Sequence, residues 1–162
     1  MTKLIQRGED SIQLQLWDTA GAERYNSMGS SFYRNSEACI LVFDLTSPDS
    51  FKNVEVWRNE FLTTLNPPDS STYPFILFGN KNDLPDIKVK NEDIQAYCQE
   101  HNNMPYFSTS AKDGINLEEG FNKVADMAFI RNTKSEDSFV PDTKFLKITQ
   151  EEPKKRDVVD NK

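Results

Sequence analysis

The sequence predicts an α/β fold, a mostly parallel sheet wrapped by helices. Segments of strand character alternate with segments of helical periodicity from residue 38 to residue 130, which is typical of a parallel sheet. Two of the strand segments, 38–45 and 75–79, are apolar almost without a break, as parallel strands covered on both faces are. The 162 residues are enough for one domain of this kind and too few for two.

The chain opens with a predicted hairpin. Leu4 and Ile5 are separated from the segment 12–17 by the polar turn 7–10. Apolar and polar residues alternate in 12–17, so this strand is expected to bury one face only.

The first helix is predicted to begin at residues 46–49, which supply capping side chains and a proline suited to the first turn. Apolar residues then recur at helical spacing, at Phe51, Val54, Trp57, Phe61 and Leu65. The helix is expected to end near Asn66, because Pro67 excludes helical geometry from the residue before it.

Two more helices are predicted, over about 91–101 and 116–130, with a short strand at Tyr106 and Phe107 between them. Beyond Arg131 the helical pattern ends, and charged residues of both signs mix with prolines. We therefore expect an ordered domain at 1–131 and a mostly disordered tail at 132–162.

Composition narrows the function. The net charge of -7 argues against binding nucleic acid, and no apolar run is long enough to span a bilayer. The two cysteines, Cys39 and Cys98, and the single histidine, His101, argue against a disulfide scaffold and a histidine-rich metal site. These features predict a cytoplasmic protein.

Three polar segments follow predicted strands, at the edge where open α/β sheets bind ligands. The first is 17–21. Its Asp18 could hold Mg²⁺ through water, and Gly21 lets a backbone N–H approach a phosphate. A strand ending in an ordinary turn explains this segment equally well.

The second segment is 80–83. A carboxylate at Asp83 could accept hydrogen bonds from the ring N–H and the exocyclic amine of guanine, a donor pair that adenine lacks. The aliphatic stem of Lys81 could lie over the base, and Asn80 could brace the neighbouring loop.

The third segment is 109–112, after the short strand. The backbone N–H of Ala111 could meet the guanine carbonyl, with Ser110 beside it and Lys112 stacking nearby. Each of the three segments, taken alone, also occurs in ordinary turns.

Together and in this order, the segments resemble the small GTPases of the Ras superfamily over about residues 2–130. The residues at 17–21, 23–25, 32–34 and 57–62 are similar to the Rab branch. The residues that lead into the second and third segments, Pro74, Phe75 and Met104 to Phe107, are similar to the late-endosomal and lysosomal Rabs.

This resemblance implies a small G-protein fold, related to the P-loop NTPases, and a guanine-nucleotide-dependent regulator of vesicle traffic. It implies GTP or GDP and Mg²⁺ as cofactors, and effectors, an exchange factor or escort proteins as partners. It also implies transient association with late-endosome or lysosome membranes.

The resemblance further implies residue roles. Base-binding residues would be Asn80, Lys81, Asp83, Ser110, Ala111 and Lys112. Asp18 and Gly21 would lie on the phosphate and magnesium side, with Asp18 holding the metal through water. Effector-facing residues would be Trp17, Tyr25 and Phe32, although ordinary core packing explains Trp17 about as well.

The chain departs from the family first at the phosphate loop. The pattern G-x-x-x-x-G-K-[ST], which cradles the β- and γ-phosphates, occurs nowhere in it. We expect the fold to lack the family's first strand and first helix, and nucleotide binding to be impaired. Without that central strand, apolar area is expected to stay uncovered at Leu41, Phe43, Ile76 and Phe78.

Two further departures concern hydrolysis and membranes. Ala22 stands where family members that hydrolyse GTP usually carry a water-positioning glutamine, so no catalytic residue is assigned and hydrolysis is expected to be slow. Residues 158–162 contain no cysteine for a prenyl chain, so no stable membrane anchor is expected from this chain.

Two interpretations therefore stand beside each other. One is a Rab-type GTPase represented by an N-terminally incomplete chain, whose start is either real or misassigned. The other is a non-enzymatic, Rab-derived binding module that keeps the surface around Trp17, Tyr25 and Phe32. An α/β enzyme of another kind is poorly supported, because Asp44 and Asp49 are best explained as turn and cap residues.

Overall fold

The computed structural model describes residues 2–7, 10–19, 33 and 35–137. The elements found there are strands β1 (Thr2–Arg7), β2 (Asp10–Gln15), β3 (Cys39–Asp44), β4 (Phe75–Asn80) and β5 (Tyr106–Ser108), and helices α1 (Pro48–Leu65), α2 (Asn91–Glu100) and α3 (Leu117–Asp137). Of the predicted site residues, Gly21, Ala22, Tyr25 and Phe32 lie outside the described residues, as do positions 138–162 of the predicted tail.

The hairpin prediction is confirmed. β1 and β2 pair in antiparallel fashion, with Ile5 opposite Ile12 and Arg7 opposite Asp10. Alternate side chains of β2 are half-buried, as the sequence pattern predicts. The strand ends at Gln15, two residues before the predicted end at Trp17.

The central sheet is parallel, in the order β3–β4–β5. In the β3–β4 register, Asp44 lies opposite Asn80, and in the β4–β5 register Gly79 lies opposite Ser108. The carboxyl ends of all three strands therefore meet at one edge of the sheet. This arrangement confirms the predicted α/β class.

Helix α1 begins and ends where the sequence predicts. The side chain of Ser47 accepts a hydrogen bond from the backbone N–H of Ser50, and Pro48 occupies the first turn. Asn66 adopts a left-handed conformation, with φ of 47°, directly before Pro67.

Helix α3 extends beyond its predicted end at residue 130 and crosses the predicted domain boundary. Contacts with distant residues support the extension: the Arg131 guanidinium lies 4.9 Å from the ring centre of Tyr73, and Asn132 Nδ2 donates to Glu37 Oε1 at 2.6 Å. Such contacts add stability that the local sequence does not reveal. No helix in the described part of the chain is both long and apolar enough to cross a membrane.

The core has two parts, one on each face of the parallel sheet. Leu41 and Phe43 are buried with residues of α1 and α2, while Ile76 and Phe78 are buried with Val124 of α3. The expectation of uncovered area at Leu41, Phe43, Ile76 and Phe78 is therefore wrong, because the helices present already cover these four side chains.

Uncovered apolar area lies instead at Val42, whose exposed fraction is 58%. No strand among the described residues pairs with the outer edge of β3, and the apolar cluster that α3 forms with β4 includes Ile40 of β3 but not Val42. The prediction that the whole apolar run is covered on both faces is therefore wrong at this position.

The hairpin contacts the rest of the domain through α3. Lys3 Nζ lies 3.3 Å from Glu118 Oε1, and Arg7 binds the carboxylate of Asp126 and donates to the carbonyl of Asn122 at 3.4 Å. Partly exposed ion pairs of this kind contribute little stability. The hairpin is thus expected to be the less stable part of the described structure.

Gly120 of α3 lies directly against the ring of Phe78. A Cβ atom at this position in α3 would overlap the ring of Phe78, which is itself packed between Phe107 and Phe121 at centroid distances of 6.0 and 5.8 Å. Alanine gains about 1 kcal/mol over glycine in a helix, whereas overpacking a core costs about 1–3 kcal/mol. The difference between these two effects predicts that Gly120→Ala lowers the free energy of unfolding by up to about 2 kcal/mol in urea titrations.

The matched background for this test is Phe78→Leu, which removes the obstructing ring. In that background Gly120→Ala is expected to be neutral or stabilising. An increase in stability from Gly120→Ala in the unchanged chain would contradict the packing described for Phe78.

Candidate functional site

Two loops meet at the carboxyl edge of the parallel sheet, one after β4 and one after β5. Asn80, the last residue of β4, joins them: its Oδ1 accepts from the backbone N–H of Ala111 at 2.9 Å and from Thr109 Oγ1 at 3.4 Å. The Thr109 N–H also donates to the Gly79 carbonyl at 2.8 Å. The bracing contact predicted for Asn80 is therefore present.

The hydrogen bond between Ala111 and Asn80 changes what is expected of the predicted contact between Ala111 and guanine. The N–H of Ala111, predicted to be open to a guanine carbonyl, already donates to Asn80. A base carbonyl at this position would have to share the N–H with Asn80 Oδ1 or replace it. Sequence patterns cannot reveal which of two acceptors a backbone N–H selects.

Asp83 is held between two residues of the other loop. Ser110, which is fully buried, donates from Oγ to Asp83 Oδ1 at 2.7 Å, and Lys112 Nζ lies 3.7 Å from Asp83 Oδ2. The Ser110 hydrogen bond, aided by the charge of Lys112, lowers the pKa of Asp83. Asp83 is therefore an ionised acceptor at neutral pH, and its Oδ2 keeps lone pairs for further donors.

Lys81 follows Asn80 in a left-handed conformation, with φ of 67°. Its Nζ lies 2.7 Å from Oδ2 of Asp44, the last residue of β3. Sequence reasoning assigns Asp44 to a turn, and Asp44 Oδ1 does accept from the N–H and the hydroxyl of Thr46 at 2.8 and 2.7 Å. The sequence pattern does not predict the ion pair with Lys81, because periodicity leaves the register of β3 against β4 unspecified.

Two asparagines that sequence reasoning did not single out support the loops. Asn82 Nδ2 and Asn116 Nδ2 both donate to the carbonyl of Ser108, at 3.1 and 2.7 Å. The backbone N–H of Asn82 also donates to the carbonyl of Thr109 at 3.0 Å. The two loops are therefore cross-linked at their bases as well as through Asn80 and Asp83.

The remaining predicted residues with a described position lie after β2. Asp18 is exposed, and Trp17 has an exposed fraction of 60%. Burial in the core therefore does not account for Trp17. No group of three acidic, histidine or cysteine side chains in the described residues could hold a metal, so the role of Asp18 stays a prediction.

Asp44 makes the acid stability of this site testable. The ion pair with Lys81, aided by Thr46, lowers the pKa of Asp44 from 3.8 to about 2 in the folded chain. A lowered pKa means that the stabilisation is complete above about pH 4 and is lost as the pH falls toward 2. Because the side chain is 22% exposed, we expect a contribution of only about 1 kcal/mol.

The measurement is urea unfolding of the chain and of Asp44→Asn at about pH 5 and again near pH 2.5. The stability difference between the two is expected in full at the higher pH and should fall to well under half of that value at the lower one. A difference that does not change with pH would contradict the ion pair.

The fold and the joined loops define the class of the protein: an α/β domain of the small GTPase type. A sequence model described as the Ras family matches residues 1–129. The chain belongs to the Ras family.

Its relatives specify the branch. The chain is 43% identical to Ras-related protein Rab7 of Drosophila melanogaster over 135 residues, which cover 83% of this chain and 65% of the relative. It is 42% identical to Ras-related protein Rab7 of Pisum sativum, over 88% of this chain and 70% of the relative. It is 39% identical to GTP-binding protein YPTC5 of Chlamydomonas reinhardtii, over 96% and 76%. Within the Ras family, this is a Rab7-like small GTPase.

The matched region spans just under two thirds of the length of the fly relative.

Proposed function

We propose that this chain is a Rab7-like regulator of vesicle traffic at late-endosome or lysosome membranes, and that the two loops form its guanine-base site. The observation that carries the proposal is the Asp83–Ser110 contact at 2.7 Å. This hydrogen bond keeps Asp83 ionised and holds its carboxylate between the two loops. A carboxylate there can accept hydrogen bonds from the ring N–H and from the exocyclic amine of guanine. The partners of such a regulator would be effectors, an exchange factor or escort proteins.

We further propose that nucleotide binding by these 162 residues is weak. A hydrogen bond between a base and an ionised side chain is worth about 1.5–3 kcal/mol, while association costs about 4–15 kcal/mol in lost freedom. The base contacts alone therefore leave little net affinity, and no phosphate loop occurs in the sequence to add more. We expect a Kd for GDP of about 1 mM or weaker, and no dependence on Mg²⁺.

Ligand-observed NMR with GDP and ADP tests both statements, because it detects weak binding. GDP is expected to give the larger signal. Asp83→Asn should remove the preference for GDP over ADP. Ser110 binds Oδ1 of residue 83, so the amide nitrogen of asparagine would stand in place of Oδ2, and it cannot accept hydrogen bonds from guanine. Asp86→Asn is the matched control, because Asp86 lies further along the loop after β4 and pairs with Lys88 at 3.0 Å rather than with Ser110 or Lys112. Equal signals from GDP and ADP in the unchanged chain would contradict the base site, and tight Mg²⁺-dependent binding would contradict the weakness.

The exposed side chain of Trp17 favours a second candidate function, a binding module that engages trafficking partners without a nucleotide switch. Partner capture that depends on Trp17, and that is equal with GDP and with a GTP analogue, would support the module. Capture that differs between the two nucleotides would support the switch.

A further inference from the structure

Asp44 lies at the edge of the candidate base site, on the strand next to β4, which ends at Asn80 directly before Lys81. We propose that Asp44 is a positioning residue of this site, which holds the Lys81 side chain in place beside the base loops. The inference rests on the proposed guanine-base function and adds a residue to it.

Contacts within the chain hold both partners of the ion pair. Asp44 lies opposite Asn80 in the β3–β4 register, and its second oxygen is held by the N–H and hydroxyl of Thr46 at 2.8 and 2.7 Å. The backbone of Lys81 is set by its left-handed conformation and by the hydrogen bond from the Leu84 N–H to its carbonyl at 3.1 Å. A side chain ordered in this way loses less entropy when it contacts a base.

The pair also affects Asp83. The two lysines predicted to bind the base each have their own carboxylate: Lys81 lies 2.7 Å from Asp44, and Lys112 lies 3.7 Å from Asp83. Without the charge of Asp44, the nearest carboxylate to Lys81 along the chain is Asp83, two residues away. A freed Lys81 would then compete with guanine for the oxygen that Ser110 leaves open. Asp44 thus keeps Lys81 available for stacking and Asp83 available for hydrogen bonding.

The test uses the full chain with Asp44→Asn, Asp44→Glu and Lys81→Met. Asp44→Asn keeps an acceptor for Thr46 but removes the charge, whereas Asp44→Glu keeps the charge. Asp49→Asn is the control, because Asp49 forms an exposed ion pair with Lys52 at 2.9 Å away from the site. Two readouts are compared: acylation of Lys81 by an amine-reactive ester, measured by peptide mass spectrometry relative to Lys112, and GDP binding by ligand-observed NMR.

Asp44→Asn is expected to raise the acylation of Lys81 several-fold and to weaken GDP binding by about three- to tenfold. Asp44→Glu should return both the acylation of Lys81 and the binding of GDP most of the way to their original values. Lys81→Met should reproduce the loss of GDP binding while the turn at Asp44 stays intact. Asp49→Asn should change neither acylation nor GDP binding.

Unchanged acylation of Lys81 both in Asp44→Asn and in Asp44→Asn combined with Asp83→Asn would overturn the proposal, because Asp44 would then not hold the side chain. The double variant removes the carboxylate with which a freed Lys81 could pair. Raised acylation with unchanged GDP binding would also overturn it, because the held lysine would then serve no purpose at the base. If the unchanged chain binds no GDP, the base site and the role of Asp44 in it both fail, while the acylation readout still shows whether the ion pair exists. Failure of the Asp44 proposal can therefore be distinguished from failure of the proposed base site.

Discussion

Joining the phosphate-loop segment of a Rab7-type relative to the front of this chain is expected to raise its affinity for GDP by about a thousandfold or more, and to make binding depend on Mg²⁺. The gain comes from backbone N–H groups and a lysine that bind the phosphates, and from a hydroxyl that binds the metal. Three such charge-assisted hydrogen bonds, at about 1.5–3 kcal/mol each, account for a factor of this size. Calorimetric titration of the hybrid chain with GDP, with and without Mg²⁺, measures it.

The described structure offers a place for the strand that precedes such a loop. The outer edge of β3 has no paired strand in the described residues, and Val42 on that strand is 58% exposed. In the hybrid chain the amides of Ile40 and Val42 are expected to become protected from hydrogen exchange.

The control is the hybrid chain with the lysine of its phosphate loop replaced by alanine, which should lose most of the gain while remaining folded. Asp83→Asn in the hybrid should lower GDP affinity without lowering the protection of the β3 amides. A folded hybrid that binds GDP no better than the present chain would show that the joined base loops are not part of a nucleotide site.

Local sequence signals were sufficient for most of the fold. Ser47 and Pro48 define the start of α1 through capping chemistry, and Asn66 with Pro67 defines its end, so these boundaries need no knowledge of distant residues. The apolar runs likewise identified β3 and β4, because a buried strand is recognisable from its own residues. The position of the three polar segments after strands predicted that all three would lie at one edge, and the described residues join the second and the third of them.

The errors arose where long-range contacts decide. Helix α3 continues past residue 130 because Arg131 packs over Tyr73, a residue far away in sequence. The exposure of Val42 depends on which helix lies over which strand, and the apolar run is the same in either case. The ion pair between Asp44 and Lys81 follows from the register of β3 against β4, which periodicity does not specify.

The site illustrates the same division. The residue types at Asn80, Lys81 and Asp83 predicted a base-recognition role, because the functional groups of a side chain are known from the sequence alone. The structure added how they are held, through Ser110, Ala111 and Asp44. Those partners determine which donors and acceptors remain free for a ligand, and hence which of the predicted contacts a base can make without rearrangement.

Replacing Ala22 with glutamine in the hybrid chain is expected to raise the single-turnover rate of GTP hydrolysis by about tenfold. Ala22 lies outside the described residues, and the expectation rests on its position directly after Gly21, where the family resemblance places a water-positioning side chain. The methyl group of alanine cannot hydrogen-bond the attacking water, whereas the glutamine amide can. One hydrogen bond that strengthens by about 1.4 kcal/mol in the transition state accounts for a factor of ten.

The matched control is Ala22→Leu, which adds bulk of similar size without a hydrogen-bonding group and should leave the rate low. Nucleotide affinity should be nearly equal in all three chains, because the side chain acts on the water rather than on the bound nucleotide. Equal hydrolysis rates with Ala22 and with glutamine would show that this position does not limit the reaction. A rise with glutamine alone would assign the slow hydrolysis of the Ala22 chain to the missing amide, and would favour a protein that remains longer in its GTP-bound form.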